Sequence, residues 1–416
     1  MRILYHHRIL ARDGMNVHVT EIVAALRRRG HSVVVAGPAY ETGEVARGAA
    51  DGRRSVAARL GGLRERMPAW AGEMLELGYN LVAYPRIRRL ARSVRPDTVY
   101  ERYNLFLLAG VWLKRVLGVP LLLEVNAPLV HERATHGTLS LRRVAAWAEG
   151  YVWRRADMVL PVSEVLADRV RAAGVPEVRI QVIPNGVRDV GIQAGDTASA
   201  PGAGDGADRA TLGLDGKVVF GFVGFVRPWH GMHRVLEAFA RSGRSDLHLL
   251  IVGDGPARAE MEHRAADLGV QDHLTFTGVV AHDAIPAYLA LFDVALQPDV
   301  TAYASPLKLV EYMAAGCAIV APDRRNIREI VTDGATALLF EPDSAEAFDA
   351  AIRRLADDRA LRRRLGAAAA RAVIDEGRTW DANAARIEAI MTRLCGAPTS
   401  AEASTAITAN RAAGSS

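Results

Sequence analysis

Short apolar runs alternate with longer amphipathic stretches along almost the whole chain. In the first half, Arg2–Tyr5, Ser32–Ala36, Asp97–Glu101, Leu121–Val125, Met158–Val162 and Gln181–Ile183 predict strands. Near-continuous apolar runs of this length suit parallel strands covered on both faces by crossover helices. Between the first two lies His18–Arg29, where Val19, Ile22, Val23 and Leu26 share one helical face and Gly30 stands as the C-cap. The pattern resumes later, with strands predicted at Lys217–Val223, Leu247–Val252, Leu274–Thr277, Val294–Gln297, Ala318–Ala321 and Ala337–Phe340. Helices are predicted near 231–240, 256–268, 284–291, 306–315 and 344–356, then over Arg359–Asp375 and from Thr379 to about Leu394. The expected fold is α/β, with two Rossmann-like domains and the carboxyl ends of both parallel sheets facing a shared cleft.

Residues 191–210 interrupt the alternation with Gly, Ala, Pro, Ser, Thr and Asp. Such a segment has little apolar surface to offset its ordering entropy and reads as a linker or surface loop. The expected division is a domain over 1–190, the linker 191–210, a second domain over 211–378, a final helix over 379–394 and a disordered tail over 395–416.

A length of 416 residues accommodates two large domains at about 150 residues each. The 50% hydrophobic and 24% charged content excludes a mainly disordered or fibrous chain. Two cysteines cannot build a disulfide framework or a cysteine metal site and point to a reducing compartment. A net charge of +5 is too small at this length to imply nucleic acid as a partner. No apolar run approaches the roughly 18 residues of a spanning helix. The strand-like start at Met1 does not resemble a secretory signal, so the expected location is the cytoplasm. Region 53–95 nevertheless carries ten arginines interleaved with Trp70, Met74 and Leu77. It reads as a solvated helix face, or as a peripheral contact with the inner face of a membrane or with a lipid-linked acceptor.

The segment from Ala304 to Gly316 holds the clearest candidate chemistry. Ser305 is expected to cap a helix that begins at Pro306 and ends at Gly316. A helix starting just after a strand points its free amides into the cleft and forms an anion site around Ser305, Leu307 and Lys308. Glu311, one turn in, can accept hydrogen bonds from sugar hydroxyls; the plainer alternative is an exposed Lys308–Glu311 pair. Glycine turns follow strands at Gly224 and at Gly253-Asp254-Gly255, and Arg227 and His230 beside Gly224 can face phosphate.

In the first half, Asn126 ends a buried-looking strand and His131 follows in the next loop, both candidates for sugar contact. Ser163 reads as the N-cap of a helix over 164–173, and the helix with Trp147 and Tyr151 as core packing. His230 and His233 lack a third donor, so no metal site is expected. Neither a P-loop nor a dinucleotide Gly-x-Gly-x-x-Gly with its acidic partner occurs.

Together these segments resemble the retaining nucleotide-sugar glycosyltransferases of family 4, which have the GT-B architecture. The resemblance rests on Asp13-Gly14 with His18–Gly30, Val162-Ser163-Glu164, Ile183-Pro184-Asn185-Gly186-Val187, Gly224–Gly231, Gly253–Pro256 and Ser305–Gly316, and it extends to about residue 394. It implies a nucleoside diphosphate sugar, UDP- or GDP-linked, as donor, with no tightly bound cofactor and no metal. It further implies that Glu311 binds the donor ribose, that amides at Leu307 and Lys308 hold the diphosphate, and that Gly14 approaches it from the first domain. The last helix would cross back to the N-terminal domain. Acceptors open to this reading are carbohydrates, lipid-linked sugars and small metabolites. Four positions depart from the family pattern: Tyr303 stands where a glutamate precedes Glu311 by eight residues, Phe225 and His230 align with an Arg and a Lys, and Asn126 replaces a histidine. Tyr303, Phe225 and Asn126 motivate one alternative, a binding subunit without turnover; a sugar-nucleotide epimerase of the same architecture is a second, which no residue signals.

Overall fold

The computed structural model describes residues 1–9, 14–37, 68–135, 137–188 and 208–396. The first sheet contains β1 (Arg2–His6), β2 (Ser32–Ala36), β3 (Thr98–Arg102), β4 (Leu121–Val125) and β5 (Met158–Pro161). All its pairings are parallel, in the order β2-β1-β3-β4-β5. Around it lie α1 (Gly14–Arg28), α2 (Ala69–Gly78), α3 (Asn80–Val94), α4 (Ala109–Leu117), α5 (Leu129–Thr135), α6 (Arg142–Arg155) and α7 (Glu164–Ala172).

The second sheet contains β6 (Val218–Val223), β7 (Leu247–Val252), β8 (Leu274–Phe276), β9 (Val294–Leu296), β10 (Ala318–Pro322) and β11 (Leu338–Phe340). It is likewise parallel, in the order β11-β10-β9-β6-β7-β8. Its helices are α8 (His233–Ser242), α9 (Arg258–Asp267), α10 (Ile285–Leu289), α11 (Leu307–Ala314), α12 (Arg325–Arg328), α13 (Ala345–Asp357) and α14 (Arg359–Asp375). Each sheet reverses its winding once, at β1/β3 and at β6/β9. Crevices that hold ligands open at such points, beyond the carboxyl ends of the strands.

Local sequence explains three helix starts. Ser163, Ser344 and Asp358 cap α7, α13 and α14 by accepting from the amides of Leu166, Ala347 and Leu361. Along α13 the buried Phe348, Ala351, Ile352 and Leu355 repeat at three- and four-residue intervals. The final helix α15 (Trp380–Gly396) returns to the first sheet and lies on α1. Its Trp380, Ile387, Ile390 and Met391 share one buried cluster with Ile3, Tyr5, Val19 and Ile22. Arg28–Asp381 and Arg29–Glu388 pairs flank this apolar contact.

Several expectations need correction. Gln181–Ile183 is not a strand, although Gln181 and Ile183 donate to the carbonyls of Val159 and Pro161 alongside β5. Helix α1 begins at Gly14, four residues before the expected start. Trp147 is exposed and stacks on Tyr151 instead of filling the core. Helix α15 continues through Gly396, into the first residues of the expected tail. The proposed linker lies outside the described residues up to 207, as do Asp13, residues 53–67 and the chain beyond 396. Among the described residues no helix is long and apolar enough to cross a membrane.

Candidate functional site

At the β6/β9 switch point, three loops and one helix start converge. Strand β6 ends at Val223, whose amide donates to the buried Tyr312 hydroxyl of α11 (2.9 Å) and fixes the helix against the strand end. Gly224 follows with φ +126°, a backbone region that L side chains rarely adopt. Its carbonyl oxygen lies 2.2 Å from the place a Cβ on Gly253 would occupy, so the loops after β6 and β7 meet only because Gly253 has no side chain.

Helix α11 brings Lys308 beneath this turn. Its ammonium lies 3.7 Å from the centre of the Phe222 ring and would stand 3.6 Å from a Cβ on Gly224. Burial lowers the Lys308 pKa to about 7, with Glu311 pulling the other way, and burial raises Glu311 to about 7 against the attraction of Lys308. The two are therefore not the exposed pair that the plainer reading expects. At the helix start, the amides of Leu307 and Lys308 precede that of Leu309, which donates to the Pro306 carbonyl (3.1 Å), and remain available to an anion.

Ser305 does not cap this helix. Pro306 occupies the cap position in extended conformation, and the Ser305 hydroxyl faces the Asn185 amide at 3.4 Å. The loop leading in is held by Asn326, whose Nδ2 donates to the carbonyls of Thr301 (3.1 Å) and Ala304 (2.7 Å). From the N-terminal side, the Ser163 hydroxyl donates to the Tyr303 carbonyl (2.8 Å).

Arg227 and His230, the residues expected to face phosphate, sit beside Gly224 and differ in charge. The Arg227 guanidinium lies between Phe225 and Trp229, 5.0 Å from each ring centre. His230 Nδ1 accepts from the Arg227 amide (3.1 Å). Burial, then the charges of Lys308 and Arg227, lowers its pKa to about 3. His230 is thus a neutral imidazole with its hydrogen on Nε2, a donor without charge. Its Nδ1 is already engaged, and among the described residues no group of His, Cys, Asp and Glu could hold a metal ion.

Across the cleft, the end of the first sheet carries a buried polar cluster. The Glu124 carboxylate receives Arg102 Nη1 (2.8 Å), Asn126 Nδ2 (2.6 Å) and the Tyr100 hydroxyl (2.9 Å), and His18 Nε2 lies 3.0 Å away. Burial opposes its ionisation, but the His18 and Arg102 charges and the bonds from His18 and Asn126 hold it well below the usual carboxylate range. Asn126 is thus anchored to Glu124. His131 is exposed on α5, whereas the adjacent Glu132 reaches Tyr303 of the opposite domain. Burial, with the Glu132 carboxylate beside it, pushes the Tyr303 hydroxyl up to about 12. Neither Glu124 nor Glu132 is among the residues singled out from the sequence; a lone carboxylate within the apolar run Leu121–Val125 is the available signal for the first, and no local pattern marks the second.

The domains also touch through α7. Glu329 accepts from the amides of Glu164 (2.8 Å) and Val165 (3.1 Å), placing a carboxylate from the second domain on the N-terminus of a helix in the first. Asp168 pairs with Arg325 next to it.

Known proteins resemble this chain in sequence and in fold. A family model described as glycosyl transferase 4-like domain matches residues 13–186, and one described as glycosyl transferases group 1 matches residues 206–372. A GDP-mannose-dependent alpha-mannosyltransferase of Mycolicibacterium smegmatis is 31% identical over 373 residues, spanning 88% of this chain and 90% of that protein. Alpha-D-kanosaminyltransferase of Streptomyces kanamyceticus is 30% identical over 270 residues, 62% of this chain and 67% of that protein. The structure of Anabaena Alr3699/HepE in complex with UDP and glucose superposes with a TM-score of 0.70 at 17% identity, covering 95% of this chain and 100% of that one.

Proposed function

Because the chain belongs to the group 1 glycosyltransferases and has their GT-B fold, we propose that it is a retaining, family 4 enzyme using a UDP- or GDP-linked sugar. The observation that carries the reading is the convergence of the Leu307 and Lys308 amides, the Lys308 ammonium and the Gly224 turn at the β6/β9 switch point. This cradle has the chemistry of a diphosphate site, and Glu311 lies one turn further along to accept from ribose hydroxyls. By the family resemblance, Gly14, the first residue of α1, approaches the same phosphate from the first domain.

The reaction breaks the bond between the anomeric carbon and the β-phosphate oxygen, and the acceptor hydroxyl oxygen bonds that carbon on the same face. Positive charge develops on the sugar ring while negative charge grows on the departing diphosphate. The α11 amides, Lys308, Arg227 and the neutral Nε2–H of His230 stabilise that leaving group without a metal ion. The departing phosphate oxygen takes the proton of the acceptor hydroxyl. Asn126 and His131 flank the acceptor side, with Glu132 beside Tyr303 as the carboxylate that reaches the sugar from the first domain.

The acceptor reading favours a lipid-linked sugar. Trp70 (55% exposed) and Leu81 (77% exposed) accompany the exposed Arg89 and Arg92 on α2 and α3, a combination suited to an anionic membrane surface. The relatives include a mannosyltransferase named for phosphatidylinositol monomannoside.

The test is mass spectrometry of the purified protein with UDP-, GDP-, TDP- and ADP-sugars, then product detection with lipid and carbohydrate extracts and NMR assignment of the new anomeric centre. Transfer with retained configuration, undiminished by a chelator, is expected. Inversion would refute the family 4 mechanism; donor binding without transfer would identify a binding subunit, and interconversion of the nucleotide sugar alone an epimerase.

A further inference from the structure

The chain passes from the first domain to the second through Ile183–Val187 and returns through Arg378–Trp380. These crossings are laced together: Val187 donates to the Arg378 carbonyl (3.1 Å), Trp380 to the Val187 carbonyl (3.0 Å), and Asn383 Nδ2 to the Pro184 carbonyl (2.6 Å). A Cβ on Gly186 would lie 2.7 Å from the Thr379 carbonyl carbon, so the two backbones pack together there only because Gly186 has no side chain. Asn185 stands at this hinge, and its side chain joins the two domains.

Asn185 Nδ2 lies 2.5 Å from the Ser305 carbonyl oxygen, which can only accept, so this end is the amide donor and Oδ1 faces His18 Nδ1 at 2.8 Å. The other His18 nitrogen faces Glu124, a carboxylate already filled by Arg102, Asn126 and Tyr100. A ring satisfying both neighbours donates from both nitrogens and presses against the edge of Trp380 (centroids 4.9 Å apart). The bridge therefore runs from the buried carboxylate of the first sheet to a carbonyl two residues before the first free amide of α11. Independently, the Leu307 side chain packs on the N-terminal cluster that holds Tyr5, Ile183 and Trp380.

We infer that Asn185 is a positioning residue for the donor: held by His18, it fixes the Ser305–Leu307 backbone so that the first amides of α11 point at the diphosphate. The inference rests on the reading of α11 as the diphosphate site. The phosphate half of that site is thus completed by the first domain, in the domain arrangement where the bridge is made, while the nucleoside half belongs to the second domain alone.

Asn185→Asp is a selective probe. It preserves shape and the acceptor toward His18, yet places a carboxylate oxygen against the Ser305 carbonyl. Affinities for UDP and GDP, and for uridine and guanosine, are measured by titration calorimetry on the full chain, alongside thermal unfolding. The expected result is a fall of about tenfold or more in diphosphate affinity, with nucleoside affinity and melting temperature unchanged. Asn185→Ser, which removes both contacts without adding charge, should give the same split. Wild-type diphosphate affinity in both variants, an equal loss for diphosphate and nucleoside, or failure of both variants to fold would overturn the inference. If the wild type binds neither UDP nor GDP, or if Lys308→Met leaves their binding untouched, the assignment of α11 as the diphosphate site fails first.

Discussion

The Lys308 ammonium stands 3.7 Å from the centre of the Phe222 ring, in a pocket that lowers its pKa to about 7 mainly through burial. A lysine so shifted is charged below pH 7 and loses its charge above it. A diphosphate favours the charged form, so binding should take up a proton and weaken as the pH rises from 7 to 8.5, by no more than tenfold per pH unit. Calorimetry at pH 7.5 in buffers of different ionisation enthalpy should detect the uptake in the wild type and lose it in Lys308→Arg, whose guanidinium stays charged. A buffer-independent heat in the wild type would remove Lys308 from the phosphate.

Glu311 moves in the opposite sense. Burial raises its pKa to about 7, so it is anionic above that pH and protonated below it. If the carboxylate accepts ribose hydroxyls, the donor KM should rise as the pH falls below 7. Glu311→Gln should raise that KM about 10- to 100-fold at pH 8, the scale of a lost charged hydrogen bond, and should flatten the acid limb. An unaltered acid limb in the variant would assign that titration to another group.

Glu329 caps α7 from across the domain boundary, with both carboxylate oxygens on backbone amides. Glu329→Ala should weaken the closed arrangement by about 0.5–2 kcal/mol, the range for loss of a helix cap. Small-angle scattering should show a larger radius of gyration for the unliganded variant, with little change in melting temperature. An unchanged radius would show that other contacts, such as Asp168–Arg325, suffice to hold the domains.

Trp380 is 2% exposed where the returning helix meets α1. Trp380→Ala removes a large ring from a packed cluster and should cost about 3–5 kcal/mol. Chemical denaturation followed by circular dichroism should show the loss in unfolding of the first domain. A loss confined to the second domain would place the tie elsewhere.

The alternation of apolar runs and amphipathic stretches determined the elements themselves. Burial on two faces needs only a local run such as Leu247–Val252, and a cap such as Ser163 acts within one turn, so both were legible from neighbouring residues. The motif order likewise sufficed for the two-domain architecture. Tertiary structure decided where polar groups found partners. A Ser-Pro pair before a helix reads locally as a cap, but the Ser305 hydroxyl faces the amide of Asn185, 120 residues earlier in the chain. The sequence leaves the charge of His230 open, and burial beside Lys308 and Arg227 leaves it neutral. Glu132 meets Tyr303 only because a helix of one domain faces a loop of the other. Periodicity records which face of an element is buried; the partner and charge of a buried polar group depend on whatever packing brings against it.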